Sequence, residues 1–195
     1  MNTSGKFHLD RSTKYRDIAL CVISVLVGLP ASLIQHLQSV QNAAARLIYS
    51  IRRSEHVTDA LISLHWLRVQ ERIVFKVAVL TYRAVHGTAP PYLSSEFTRV
   101  ADVTTRRRLR SSSTDQLIVP SHRLSTVGAR AFPVAGAYIW NGLPAEVTSA
   151  PSLPVFRQRL KTVLFRRSYP NMCYLNFVFP SLTVVLAVFF ILRPL

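Results

Sequence analysis

LQSVQNAAARLIYSIRRSEHVTDALISLHWLRVQERIVFKVAVLTYRAVHGTAPPYL, residues Leu37–Leu93, decides the fold of this chain. Two amphipathic helical patterns flank a short linker that carries Trp66. The first pattern begins just upstream, after Pro30, with Ser32 expected as its cap. Its apolar positions are Leu33, Leu37, Val40, Ala44, Leu47 and Ile51, in alternating steps of four and three residues. That spacing puts them on one side of an α-helix. Gln35, Gln38, Gln41, Asn42 and Arg46 fall mostly outside the stripe, and Arg52, Arg53 and Ser54 end the helix. Cations suit a helix C-terminus, where the macrodipole is negative.

The second pattern runs from about Val69 to His86. Val69, Ile73, Val77, Leu80 and Ala84 share one side, and Phe75, Val79 and Tyr82 widen it. So broad an apolar surface predicts the central helix of a bundle. Gly87 supplies a C-terminal stop, and Pro90-Pro91 blocks resumption. Between the two patterns Thr58 is expected to cap a short helix reaching Leu64.

Residues 94–115 read as a linker or exposed loop. Within them Arg106, Arg107, Arg108 and Arg110 adjoin three serines and form a candidate phosphate-binding patch. Leu117–Pro120 has strand character and could pair with His122–Phe132 as a hairpin kinked at Gly128. Ala131–Trp140 fits either helix or extended chain, and Asn141–Pro144 reads as a turn. Ser152 is expected to cap a last helix, with Leu153, Phe156, Leu160, Val163 and Leu164 on its apolar side. Arg157, Arg159, Lys161, Arg166 and Arg167 make its other side basic.

The two ends differ from this middle. Residues 1–17 are polar, without periodicity, and read as a loose leader. Ile18–Leu29 is an apolar run without a small-x-small cleavage site, so it reads as a buried segment packed on the adjoining chain rather than as a secretion signal. Residues 169–195 form a hydrophobic tail, in which Met172–Leu192 is uncharged and long enough to cross a bilayer as a helix. The expected architecture is mainly α. It is a small helical bundle over 18–168, with a short β-hairpin near 117–132 and a C-terminal hydrophobic helix.

Charge narrows the partners. The formal net charge is +15, from 24 Lys+Arg against 9 Asp+Glu. So basic a chain calls for a polyanion, first the phosphate backbone of RNA or DNA, then an anionic membrane. Cys21 and Cys173 are the only cysteines, which excludes a zinc ribbon and makes a disulfide framework unlike this chain. The acids are scattered with no Asp-Asp pair, and neither a P-loop nor a G-x-S-x-G elbow occurs. No catalytic residue, metal site or cofactor is expected. His65 reads as a packed or capping histidine, and Trp66 and Trp140 as core anchors rather than base-stacking platforms.

Several stretches in order carry a resemblance. They are VLVGLPASLIQHLQ at Val25–Gln38, LQSVQNAAARLI from Leu37, and HVTDALISLHWLRVQERIVFKVAVLTYRAVHGTAPPYL ending at Leu93. LRSSS at Leu109–Ser113, LIVP at Leu117–Pro120, GARAFPVAGAYIWNGLP at Gly128–Pro144 and SLPVFRQRLKTVLF at Ser152–Phe165 continue the series. Together these resemble the C-terminal region of reverse transcriptases from non-LTR (LINE-type) retrotransposons, over about residues 20–168. The resemblance implies a helical region downstream of the polymerase palm, without the palm's paired aspartates, that helps grip template RNA or target DNA. It assigns that grip to Arg46, Arg72, Arg107, Arg108, Arg110, Arg130 and Lys161, to which the basic patch adds Arg106. The chain departs from the family at Arg68, where the H-W-L-P-V motif has proline, and in the apolar tail after Tyr169. The expected function is non-catalytic nucleic-acid binding. The alternatives are a small basic membrane protein anchored by its C-terminal span, and a polymerase completed by a partner chain.

Overall fold

The computed structural model describes residues 26–103, 115–124 and 127–170. The architecture is mainly α. Helix α1 is Ala31–Tyr49, α2 Thr58–Ser63, α3 Val69–Val85, α4 Pro91–Ser94, α5 Phe132–Asn141, α6 Ala145–Thr148 and α7 Leu153–Ser168. Single 3-10 turns stand at Val100–Asp102 and Gly128–Arg130.

Helix α3 is central, as its wide apolar surface predicts: it packs on both α5 and α7. Val77, Ala78, Val79, Thr81, Tyr82 and Ala84 are all buried along its C-terminal half. Facing them, α5 contributes Ala137 and Trp140, and α7 contributes Phe156, Leu160 and Leu164. The Tyr82 ring lies 4.4 Å from the Phe156 ring, near the start of α7. At the other end Arg68, just before α3, lies over Tyr169, just after α7. Helices α3 and α7 therefore run antiparallel. Approach of α5 is close because Gly136 faces α3: a Cβ there would stand 2.7 Å from Thr81 Oγ1. Trp140 is a core anchor whose indole Nε1 donates to the Asp115 carbonyl at 2.7 Å.

A second, smaller cluster joins α1, α2 and the end of α7 through Ala45, Ala60, Leu61, Ile62 and Tyr169. Trp66 is half-buried against it, and Phe165 packs on both clusters. The Tyr169 hydroxyl donates to the Trp66 carbonyl at 2.8 Å, fixing the α2–α3 linker to the far end of the bundle.

Helix α1 docks through a face rotated away from its apolar stripe. Leu33, Leu37, Val40 and Leu47 are exposed, Val40 at 68% and Leu47 at 82%. The residues it turns inward are Gln41 and Ala45, both buried. Gln41 Nε2 donates to the Leu67 carbonyl at 2.8 Å, and the Val69 amide donates to Gln38 Oε1 at 2.9 Å. The glutamines satisfy backbone groups of the α2–α3 linker and of the first residue of α3, groups that helix formation leaves unpaired. Helix α1 thus docks through amides.

Helix starts differ from expectation in a consistent way. Pro30, Val57 and Ser152 hold the N-cap positions, and none of these three supplies a side-chain cap bond. Ser32 and Thr58 lie within their helices instead. The Pro30 carbonyl takes the amides of Leu33 and Ile34, so proline geometry starts α1. Tyr49 closes α1 ahead of the expected Arg52–Ser54 stop, because Ser50 turns left-handed at φ 52°. Gly87, at φ 66°, comes after α3 as the sequence predicts. Pro91 does not block a helix: it opens α4, where a missing amide proton costs nothing.

Among the described residues no hairpin is seen near 117–132. Among the described residues the β-pairing is one isolated antiparallel bridge, Arg99 with Leu117. The Val100 amide donates to the Gln116 carbonyl and the Ile118 amide to the Thr98 carbonyl, each at 2.9 Å. The other edge of Leu117 is taken by a side chain. Asn141 Oδ1 accepts from the Leu117 amide at 2.9 Å, and its Nδ2 donates to the Leu117 carbonyl at 2.8 Å. Leu117 itself is 2% exposed, so core insertion and the Asn141 clamp outcompete pairing with 122–132. The ambiguous 131–140 stretch is helical, within α5.

The leader, most of Ile18–Leu29, the Arg106–Arg110 patch and the Met172–Leu192 span lie outside the described residues. Among the described residues no helix is long and apolar enough to cross a membrane.

Candidate nucleic-acid interface

The antiparallel packing of α3 on α7 brings two sequence-predicted residues together. Arg72 projects from the first half of α3 and Lys161 from the middle of α7, and both are exposed. Lys161 as a residue belongs to the surface, yet its ammonium is hemmed in enough for desolvation to matter. Burial of that ammonium, and then the Arg72 guanidinium beside it, hold the Lys161 pKa below the ordinary lysine value. The two cations, one from each helix, thus share one face of the bundle.

Helical geometry extends the pair. Arg68, at the N-cap of α3, and Arg72 and Lys76 within the helix follow one another at four-residue spacing, and all three are exposed. Arg157 stands one turn before Lys161 on α7 and is also exposed. From Arg68 to Lys76 the ridge covers about 12 Å at 1.5 Å per residue. A nucleic-acid strand places a phosphate about every 3.4 Å of helix axis, so a ridge of this length faces roughly three to four of them. Arg68 and Lys76 are absent from the residues that the sequence motifs single out, although their four-residue spacing around Arg72 is there to be seen.

Arg68 anchors one end of the ridge. Its guanidinium lies 5.3 Å from the centre of the Tyr169 ring. Burial raises the Tyr169 pKa, against the opposing pull of Arg68, whose charge and hydrogen bond both favour the phenolate, and with a push from Glu71. The backbone at Arg68 has φ −60° and ψ 158°. That φ is the value a proline ring enforces.

The other predicted residues lie apart from this pair. Arg46 is half-buried at the end of α1 and donates from Nη2 to the Glu55 carbonyl at 3.2 Å. Arg130 is half-buried in the 3-10 turn before α5, with its side chain against Gly28. Arg106, Arg107, Arg108 and Arg110 lie outside the described residues. Other arginines bind carbonyls: Arg99 that of Val85, and Arg159 that of Glu146. His65 closes α2 with φ 53° and stacks on Phe165, the packing role expected of it.

Among the described residues no three His, Cys, Asp or Glu side chains gather as a metal site. No protein-family model, curated protein or solved structure matches this chain.

Proposed function

We propose that this chain is a non-catalytic nucleic-acid-binding domain, a remnant of the C-terminal region of a non-LTR retrotransposon reverse transcriptase. It grips the phosphate backbone of RNA or DNA and does no chemistry on it. The observation that carries the reading is the Arg72–Lys161 pair. Two cations from separate motifs stand close enough for the Arg72 guanidinium to disfavour charge on Lys161, whose ammonium is also partly stripped of water. Such a pair is unfavourable alone and is relieved by an anion. The ridge of Arg68, Lys76 and Arg157 turns that point into a track suited to a polyanion. Backbone contacts of this kind position the strand and read little sequence.

Two further features support the reading. The motif string covers about residues 20–168, and the proline position of H-W-L-P-V holds proline-like backbone although Arg68 occupies it. Arg106, Arg107, Arg108 and Arg110 belong to the same grip and add to it in graded fashion.

Fluorescence anisotropy with a labelled 20-nucleotide RNA and its DNA counterpart tests this. With about four phosphate contacts, affinity should fall roughly a hundredfold between 50 and 200 mM salt. Arg72→Ala with Lys161→Ala should weaken binding and reduce the salt slope by roughly 1.4–1.8. Replacing Arg106, Arg107, Arg108 and Arg110 with Ala should weaken it further, in steps. Affinity indifferent to salt, or unmoved by the double variant, rejects the interface. Carbonate washing separates the membrane alternative, which requires the chain to stay with the lipid.

A further inference from the structure

Helix α3 and its N-cap carry four Arg or Lys residues, and the ridge described above uses three of them. The fourth is Arg83, near the C-terminal end. An α-helix turns about 100° per residue, so Lys76 stands about 40° and Arg83 about 20° round the axis from Arg72. The three cations within the helix therefore share one narrow strip. Over the C-terminal half the other sides are closed, with Val77, Ala78, Val79, Thr81, Tyr82 and Ala84 all buried. Leu80, between Lys76 and Arg83, is half-buried, so the strip narrows there without closing.

Arg83 is set to receive an anion. It is half-buried, and its Nε, shielded from solvent, has no hydrogen-bond partner among the described residues. A shielded donor without an acceptor is costly, and the charge-assisted bond from a guanidinium to phosphate is among the strongest that could relieve it. The backbone beneath is already held. The amides of Thr88 and Ala89 donate to the Arg83 carbonyl at 2.9 and 3.1 Å, and Thr88 Oγ1 donates to it at 3.2 Å. Binding there has little main chain left to order.

Granted the nucleic-acid reading above, on which this assignment rests, we propose that Arg83 is a further phosphate contact. The strip from Arg68 to Arg83 then seats a single strand of nucleic acid rather than a duplex. It measures about 22 Å at 1.5 Å per residue. That is room for up to six or seven phosphates at ~3.4 Å per step. A duplex strand cannot follow it: each completes a turn in ~34–36 Å, so over this length it swings through more than half a turn and off a straight ridge. Nor can α3 enter a groove. The ~12 Å major groove admits a free-standing helix, whereas α3 is walled in by α5 and α7. A single strand has the freedom to bend to the line of the strip.

Fluorescence anisotropy on the full chain tests this across a salt series. The probes are a labelled 12-nucleotide oligouridylate and the same strand annealed to its oligoadenylate complement. The single strand should bind more tightly than the duplex. Arg83→Gln should weaken the single strand roughly three- to tenfold and lower its salt slope by about 0.7, while duplex binding holds within about twofold. Arg83→Lys, which keeps the charge, should keep the slope, a rescue that a purely structural role for Arg83 would not give. The wild-type comparison needs no variant to fold, and a duplex bound as tightly as the single strand overturns the strand class. Arg83→Gln that leaves single-strand binding and its slope unchanged, or weakens both probes alike, overturns the Arg83 contact. In each of these results the chain still binds nucleic acid and the functional reading stands. Failure to bind either probe overturns that reading, and this assignment with it.

Discussion

Helices α1 and α7 carry the same kind of pattern and use it in opposite directions. On α7 the apolar stripe goes inward: Phe156, Leu160 and Leu164 are buried, and Arg157, Lys161, Arg166 and Arg167 stay outside. On α1 the stripe goes outward, and glutamine faces the protein. The difference lies in what each helix meets. Helix α7 meets the aromatic face of α3, which only apolar side chains can fill. Helix α1 meets the linker and first turn of α3, where exposed backbone amides and carbonyls await partners. Burying unpaired peptide groups costs more than leaving a few leucines wet, so the amide side wins. Periodicity identifies the two sides of a helix, and the neighbour decides which is the inside.

The largest test of this contrast sets one deletion on each helix. Phe156→Ala should destabilise by about 3–5 kcal/mol, the range for a fully buried aromatic. Leu47→Ala at dilute protein should stay within about 0.5 kcal/mol, as at other open surface sites. Urea denaturation of both variants checks it, and a comparable loss at the two positions would break the comparison.

A smaller effect tests what holds α1 down. Gln41→Ala leaves the Leu67 carbonyl buried without its donor and should cost about 1–3 kcal/mol. Val40→Ala, one residue away, should cost next to nothing by the same urea midpoint.

Smaller again is a pH effect on the α7 side. The Lys161 pKa is lowered in the fold, so the unfolded chain binds more protons. Stability should therefore rise with pH through the lowered Lys161 pKa and level off at the ordinary lysine value. Lys161→Met should remove that rise, seen as the difference between the two urea midpoint profiles. Bound RNA should push the same pKa back up, so that affinity falls with rising pH in the wild type and not in Lys161→Arg.

Smallest is Arg68→Pro. The φ of −60° suits proline, and the stiffer unfolded chain should return about 0.4–1 kcal/mol. The lost contact with the Tyr169 ring is worth a similar ~0.5–1 kcal/mol. Thermal melting should show almost no net change, while RNA affinity should drop with the lost charge.

Much of the fold is legible in the sequence. The breadth of apolar residues around Val77 and Tyr82 places α3 at the centre, and the 3–4 spacing places α7. Alternation around Leu117 misleads, because a strand-like run does not say who its partner is. Asn141, remote in sequence, holds the position that a neighbouring strand would otherwise fill. In the site, Arg72 and Lys161 are legible as basic residues in motifs. Their adjacency is not, since it depends on the antiparallel register of two helices. Lys76 and Arg68 escape for a simpler reason: charge weighed motif by motif does not show its run along one helix face.

The clamp on Leu117 has a practical corollary. Leu117 is fastened along both edges, by the bridge to Arg99 on one and by the Asn141 amide on the other. One carboxamide therefore does for this residue what a whole adjoining strand does elsewhere, and Asn141→Leu would release its amide and carbonyl together, like drawing a single bolt.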